Sequence, residues 1–195
     1  VAIAELNHVM QFLHASSDTA VLKTSTSRQS RFPDVAALTM KSAIDELMLT
    51  SNYMSGLIMN TALMKQYNVL ERVDDWYNQE NVAVLTYPHM CWELLMFQYG
   101  KSYSTSTILV REGDIEKMES EYIVRVGNDS EIPEYNTIQH RLDQHHGFAE
   151  IMISMEISND KKLLSEMYRA LCRKTFWLIE ISLNLFYSKF LNKEE

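Results

Sequence analysis

The residues best suited to chemistry lie in one stretch, from His140 to Glu150. This stretch contains three histidines, one arginine and two carboxylates, namely His140, Arg141, Asp143, His145, His146 and Glu150. A histidine can take or give a proton near neutral pH, and an arginine keeps its charge and presents a planar fork of donors. Metal-free RNA cleavage requires such a proton-transfer group and a fixed cation beside the phosphate. The residue types in this stretch are compatible with that chemistry, although they do not by themselves select RNA as the substrate.

Arg141 and His146 are the predicted catalytic pair, and His145 is the rival for the role of His146. Five residues along a helix correspond to a rotation of ~140°, so Arg141 and His146 of one chain do not lie above each other. A cleft shared by two copies of the helix would bring them together. His145 is four residues from Arg141 and lies on the same helix face. The alternative is an ordinary polar helix face, in which these side chains form weak surface pairs.

The same pair resembles a known family motif. Arg141 and His146 have four residues between them, and Gly147-Phe148 follows, which is similar to the Arg-x4-His motif of the HEPN superfamily. The resemblance implies a compact helical bundle that usually dimerises and that in many members is a metal-independent ribonuclease. Other members bind nucleotides or act as scaffolds without catalysis. Leu142 departs from the polar residue that follows the arginine in active members, and this departure favours a protein that binds without cleaving.

A metal site is the third hypothesis for function. His89 and Glu93 are four residues apart, as are His146 and Glu150, so each pair lies on one helix face. Two such helices facing each other could hold a divalent ion. The spacing differs from the Glu-x-x-His pattern of di-iron bundles, and no organic cofactor is predicted. The chain contains neither a GxGxxG nor a Walker A loop, and no GxSxG elbow.

The second hypothesis is a non-enzymatic interaction protein that acts as an adaptor. A net charge of −8 argues against sequence-blind binding to nucleic acid, which needs a basic face. An acidic run at 112–134 either docks a basic protein partner or is an ordinary solvated face. The end of the chain from Phe176 to Phe190 is apolar almost all round. Such a helix is either the centre of the core or a dimer interface, and we expect a homodimer through it.

The pattern of apolar residues predicts an all-α, or nearly all-α, helical bundle. Five glycines and three prolines are few for 195 residues, which favours long helices. Residues 1–31 are predicted as a short helix (1–15) followed by a Ser/Thr-rich linker, and residues 32–195 as a single helical domain. Its predicted helices are 34–67, 69–80, 88–99, 134–157 and 160–190. Residues 82–86 are ambiguous, and residues 103–126 predict either a small β-hairpin or two short helices.

The cysteines and the hydropathy pattern predict a cytoplasmic protein. Cys91 and Cys172 lie in apolar helical patterns, so both are predicted to be buried thiols in a reducing compartment. The first ten residues lack the basic start and long apolar block of a secretory signal. No apolar run is long enough to span a membrane.

Overall fold

A mixed sheet of four strands runs through the molecule. The computed structural model describes residues 3–26, 34–38, 40–49, 54–110 and 134–190. The strands are β1 (Thr19–Thr26), β2 (Val35–Leu38), β3 (Leu57–Met59) and β4 (Lys101–Val110). Their order is β2-β4-β1-β3. The central pair, β1 and β4, is parallel, and the outer strands pair antiparallel with it.

Helices account for most of the remaining described chain. They are α1 (Ile3–Ala15), α2 (Met40–Glu46), α3 (Thr61–Gln66), α4 (Val69–Asn78), α5 (Val82–Thr86), α6 (Pro88–Met96), α7 (Ile138–Ser154) and α8 (Lys161–Phe190). Short 3-10 turns precede and follow α7, at Glu134–Asn136 and Glu156–Asn159.

Local sequence signals begin several of these helices. The side chains of Asn60, Asn81 and Thr137 accept hydrogen bonds from the first free backbone N–H groups of α3, α5 and α7. Pro88 occupies the first turn of α6, where its missing N–H has no helical partner to lose. α6 and α7 are thereby fixed at the ends that carry the candidate site residues.

The sheet lies between α1 and the other helices. Val21 on β1 belongs to the main core with residues of α4, α6 and α7. The next residue, Leu22, packs on the opposite face with Val9 of α1 and Tyr103 of β4. This alternation is expected for a strand buried on both faces.

The polar side chains of β1 are buried because other parts of the fold satisfy them. The Lys23 ammonium donates to the Leu47 carbonyl at 2.6 Å and lies 2.5 Å from the Glu93 carboxylate. Thr24 donates through Oγ1 to the Gly56 carbonyl. A Ser/Thr-rich segment can therefore form a fully buried central strand.

The predicted all-α fold class is wrong, because this sheet is part of the fold. Residues 19–26 form β1 rather than the predicted loop, although the division of the chain at residue 31 stays a prediction. The single helix 34–67 is also wrong, because this segment contains β2, α2, β3 and α3. Gly56 has φ +82°, and a Cβ there would lie 2.7 Å from the Thr24 carbonyl oxygen. α2 itself ends at Glu46, Leu49 follows with a left-handed φ of 56°, and the left-handed Gly56 lies in the turn that leads into β3.

Other predicted elements are confirmed. Helices occur at 3–15, 69–78, 88–96, 138–154 and 161–190, within a few residues of their predicted bounds, and the ambiguous segment 82–86 is the helix α5. The strand predicted from Tyr103 is β4, but it pairs with β1 and β2. The rest of the predicted hairpin, and the acidic run except its last residue, lie outside the described residues.

The structure bears on the predictions about the two cysteines and about membrane-spanning helices. Cys91 is buried as predicted, whereas Cys172 is exposed on α8, so the prediction of a buried thiol is wrong there. In the described part of the chain, none of the helices combines the length and apolarity needed to cross a bilayer.

Candidate functional site

The predicted chemical stretch lies on α7, and its first histidine connects α7 to α5. Thr137 begins α7 by accepting a hydrogen bond from the His140 backbone N–H at 3.2 Å. The His140 Nε2 atom lies 3.0 Å from Thr86 Oγ1 on α5. These contacts fix the start of α7 and the direction in which Arg141 projects.

Arg141 is directed into the interior of the protein and is only 4% exposed. Its Nη2 donates to Asn136 Oδ1 at 2.8 Å, and its Nη1 lies 3.2 Å from Gln144 Oε1 and 3.3 Å from the Tyr87 hydroxyl. Each of these acceptors is neutral. Arg141 therefore braces the 3-10 turn before α7 and the start of α6.

The two adjacent histidines occupy different environments. His145 is half-buried between α7 and α8, with Nδ1 at 2.8 Å from Thr175 Oγ1 and Nε2 at 3.1 Å from the Tyr168 hydroxyl. Burial, and secondarily the neighbouring His146, lower the pKa of His145 below its usual value. His146 is exposed. The structure thus places Arg141 inward and His146 outward, and it does not bring them together within one chain.

Gly147 and Phe148, which follow the histidines, have packing roles. A Cβ on Gly147 would collide with Asn81 Oδ1 and would lie 3.0 Å from the Ala83 Cβ. Asn81 caps α5 and donates through Nδ2 to the Gly147 carbonyl at 3.2 Å. Phe148 is 2% exposed and belongs to the main core. Close packing of α7 against α5 therefore accounts for the Gly-Phe pair without catalysis.

Two of the predicted metal ligands contact other side chains. Glu93 contacts Lys23, and Glu150 accepts a hydrogen bond from Asn81 at 3.0 Å. Among the residues that the structure describes, no three His, Cys, Asp or Glu side chains gather in a way that could hold a metal ion.

His89 and Glu93 instead belong to a buried charged cluster that sequence reasoning missed. Burial lowers the pKa of His89 to about 4, and the charges of Lys23 and Lys174 act in the same direction. Burial also raises the pKa of Glu93 and lowers that of Lys23. The sequence could not identify Lys23 as a buried residue of this cluster, because it lies in a segment predicted to be a loop.

Lys174 on α8 adds a further cation to this region. Burial, and secondarily the charges of Lys23 and Arg141, lower its pKa to about 7, while the charge of Glu93 acts in the opposite direction. Its ammonium lies 4.5 Å from the centre of the Trp177 ring. The charges of both Arg141 and Glu93 affect the pKa of Lys174. The polar groups of β1, α6, α7 and α8 therefore interact electrostatically.

The outer surface of α8 exposes large apolar side chains. The exposed fractions are 73% for Phe176, 43% for Trp177, 40% for Leu183 and 56% for Tyr187. The opposite side of the helix is buried through Met167, Leu171, Thr175 and Leu178. The apolar end of α8 is therefore not the centre of the core, which was one of the two predictions for it.

Comparisons of the chain with protein-family models, with curated proteins and with solved structures find no match.

Proposed function

We propose that the chain is a non-enzymatic interaction protein that assembles with a second copy of itself through α8. The observation that supports this proposal is the row of large apolar side chains exposed along that helix. Exposed apolar patches larger than a few hundred Å² are uncommon on monomers and usually mark interaction sites. By contrast, Arg141 is buried among neutral hydrogen-bond partners and lies away from His146. No comparable observation supports a catalytic role for this pair.

Four exposed residues and the half-buried Ile179 have the spacing of a helix that pairs with another helix. Cys172, Phe176, Ile179, Leu183 and Phe186 follow one another at steps of four, three, four and three residues. This alternation has a mean period of 3.5 residues and keeps a narrow apolar stripe facing a partner helix. We call these five residues the α8 stripe.

The flanks and the length of α8 suit the same arrangement. Arg173 and Glu180, each directly after a stripe position, are exposed and charged, as residues beside a helix–helix seam commonly are. α8 contains 30 residues, so it is ~45 Å long at 1.5 Å per residue. The stripe therefore extends over several helical turns.

A second copy of the chain can cover this surface, and no other protein is then required. A two-fold axis would place the same stripe on both sides of the interface. At roughly 200 Å² per aromatic side chain, the exposed apolar groups of α8 amount to on the order of 500 Å² per chain. A stable interface buries about 800 Å² per partner, so these apolar groups would supply more than half of that area and the charged flanks would have to supply the remainder.

Sedimentation velocity on paired variants tests the proposal. We expect the wild type to be dimeric and Phe176→Ser or Leu183→Ser to dissociate at the same concentration. Truncating a central interface residue costs about 2 kcal/mol, and each side chain occurs twice in a symmetric dimer, so Kd should rise roughly a thousandfold. Ile153→Ser is the matched control, since Ile153 is 65% exposed on α7.

The control variant should remain as dimeric as the wild type. If Ile153→Ser weakened assembly as much as Phe176→Ser, association would reflect general surface stickiness. A wild type that stays monomeric at high concentration with its helices intact would refute assembly through α8. Ribonuclease activity, the leading prediction from the sequence, stays a prediction.

A further inference from the structure

Three buried side chains between α6, α7 and α8 each have a polar nitrogen with no hydrogen-bond partner among the described residues. These nitrogens are His89 Nε2, Arg141 Nε and Gln144 Nε2. The three residues are 6%, 4% and 1% exposed, respectively. Buried polar groups in proteins are nearly always paired, and each exception asks for an explanation. Here they are nitrogens able to bind an acceptor.

These groups belong to one neighbourhood. The Arg141 Nη1 lies 3.2 Å from Gln144 Oε1, so the unpartnered nitrogens of these two residues are close together. Arg141 also contacts the Tyr87 hydroxyl, and the Tyr87 ring lies edge-on to His89 at 6.1 Å between centroids. We call Tyr87, His89, Arg141 and Gln144 the Arg141 cluster.

The charge of the cluster is positive. The Arg141 guanidinium keeps its charge, and all of its hydrogen bonds within the described chain go to neutral oxygens. Lys174 is near enough for its pKa to be affected by Arg141 and for its own charge to affect His89. A buried guanidinium is disfavoured without a nearby anion. Glu93, the carboxylate described in this region, is in contact with Lys23.

We propose that the Arg141 cluster binds a phosphate group, with Arg141 and Gln144 as the principal donors. The guanidinium fork matches two phosphate oxygens. Donors that arrive from α6 and α7 in different directions suit a tetrahedral anion better than a planar carboxylate. The Tyr87 hydroxyl can donate to an additional oxygen while it accepts from Arg141.

The cluster lies close to the surface. Tyr87 and Asn136, which contact Arg141 directly, are only half-buried, and so is Lys174. Solvent therefore reaches the side chains that surround the guanidinium. The proposal does not depend on assembly through α8, because its donors come from one chain.

Equilibrium dialysis with radiolabelled inorganic phosphate, at ionic strength held constant with chloride, tests this inference. We expect one phosphate per chain, and we expect Arg141→Gln to weaken binding at least about tenfold, since charge-assisted hydrogen bonds are the strong ones. Arg169→Gln is the matched control, because Arg169 is an exposed arginine on α8 and its loss should leave binding unchanged. Circular dichroism verifies that each variant is folded.

Competition identifies the form of the ligand. Displacement of the label by adenosine monophosphate assigns the site to phosphate monoesters, and failure to displace it assigns the site to the free ion. Equal displacement by acetate would overturn the choice of phosphate. Absence of uptake by the folded wild type at millimolar phosphate would overturn the site itself, as would equal losses in Arg169→Gln and Arg141→Gln. If Arg141→Gln does not fold, Gln144→Leu retains the guanidinium and should also weaken binding.

Discussion

Substitution of Gly147 by alanine should destabilise the fold, even though alanine is the better helix former. Gly147 lies inside α7, where replacing glycine normally gains about 1 kcal/mol. Here the new methyl group would collide with Asn81 Oδ1 and would lie 3.0 Å from both the Cβ and the backbone N of Ala83. α5 must move away from α7, or Asn81 must leave its capping position.

These two structural responses determine how much the free energy of unfolding decreases. Overpacking of a tight contact costs about 1–3 kcal/mol. Loss of the Asn81 cap costs about 1 kcal/mol, and Asn81 also provides hydrogen bonds to the Gly147 carbonyl and to Glu150. After subtraction of the gain in helix propensity, we expect a net loss of about 1–3 kcal/mol in the free energy of unfolding.

Urea unfolding followed by circular dichroism measures this loss. A second measurement in the Asn81→Gly background isolates the contact, because glycine retains most of the capping preference but removes Oδ1. We expect Gly147→Ala to cost less in that background. If Gly147→Ala were as stable as the wild type, the close packing of α5 on α7 would not explain the glycine.

Three other predictions concern the buried cluster and the predicted catalytic residues. Lys23→Met should lower the free energy of unfolding, measured in urea, by about 3–5 kcal/mol, because it leaves Glu93 buried without its cation. Adding Glu93→Leu should recover much of this loss. Equal losses in the single and double variants would contradict the pairing of Lys23 with Glu93. Because the folded-state pKa of His89 is about 4, below its usual 6.5, the unfolded chain binds more protons between these values. Stability should therefore fall as pH is lowered from 6.5 towards 4, and His89→Gln should flatten this fall. Mixed cellular RNA incubated with the wild type in excess EDTA should remain intact, and cleavage that is lost in His146→Ala would restore the ribonuclease hypothesis.

Long helices were predictable because their signals are local. α7 and α8 carry repeated apolar positions, and Thr137 and Pro88 mark the beginnings of α7 and α6. The sheet could not be predicted in the same way. β1 reads as a Ser/Thr-rich linker, and its burial depends on Leu47, Gly56 and Glu93, which are distant in sequence.

The site was predictable in its residue types but not in its geometry. Arg141 was identified as a candidate, but its inward direction depends on Tyr87 and Asn136, which no motif connects to it. The sequence placed Gly147 in a motif that resembles a catalytic one. Its contact with Asn81 arises only when α5 packs on α7, which the sequence does not reveal. The spacing of the α8 stripe can be read from the sequence, but which side of the helix remains exposed is determined by tertiary packing.

The mass of the native chain in solution tests assembly through α8 most directly. Sedimentation equilibrium should give twice the chain mass of 22.7 kDa at micromolar concentration, with reversible dissociation on dilution. A single species of 22.7 kDa at every concentration, with α8 intact, would contradict the account.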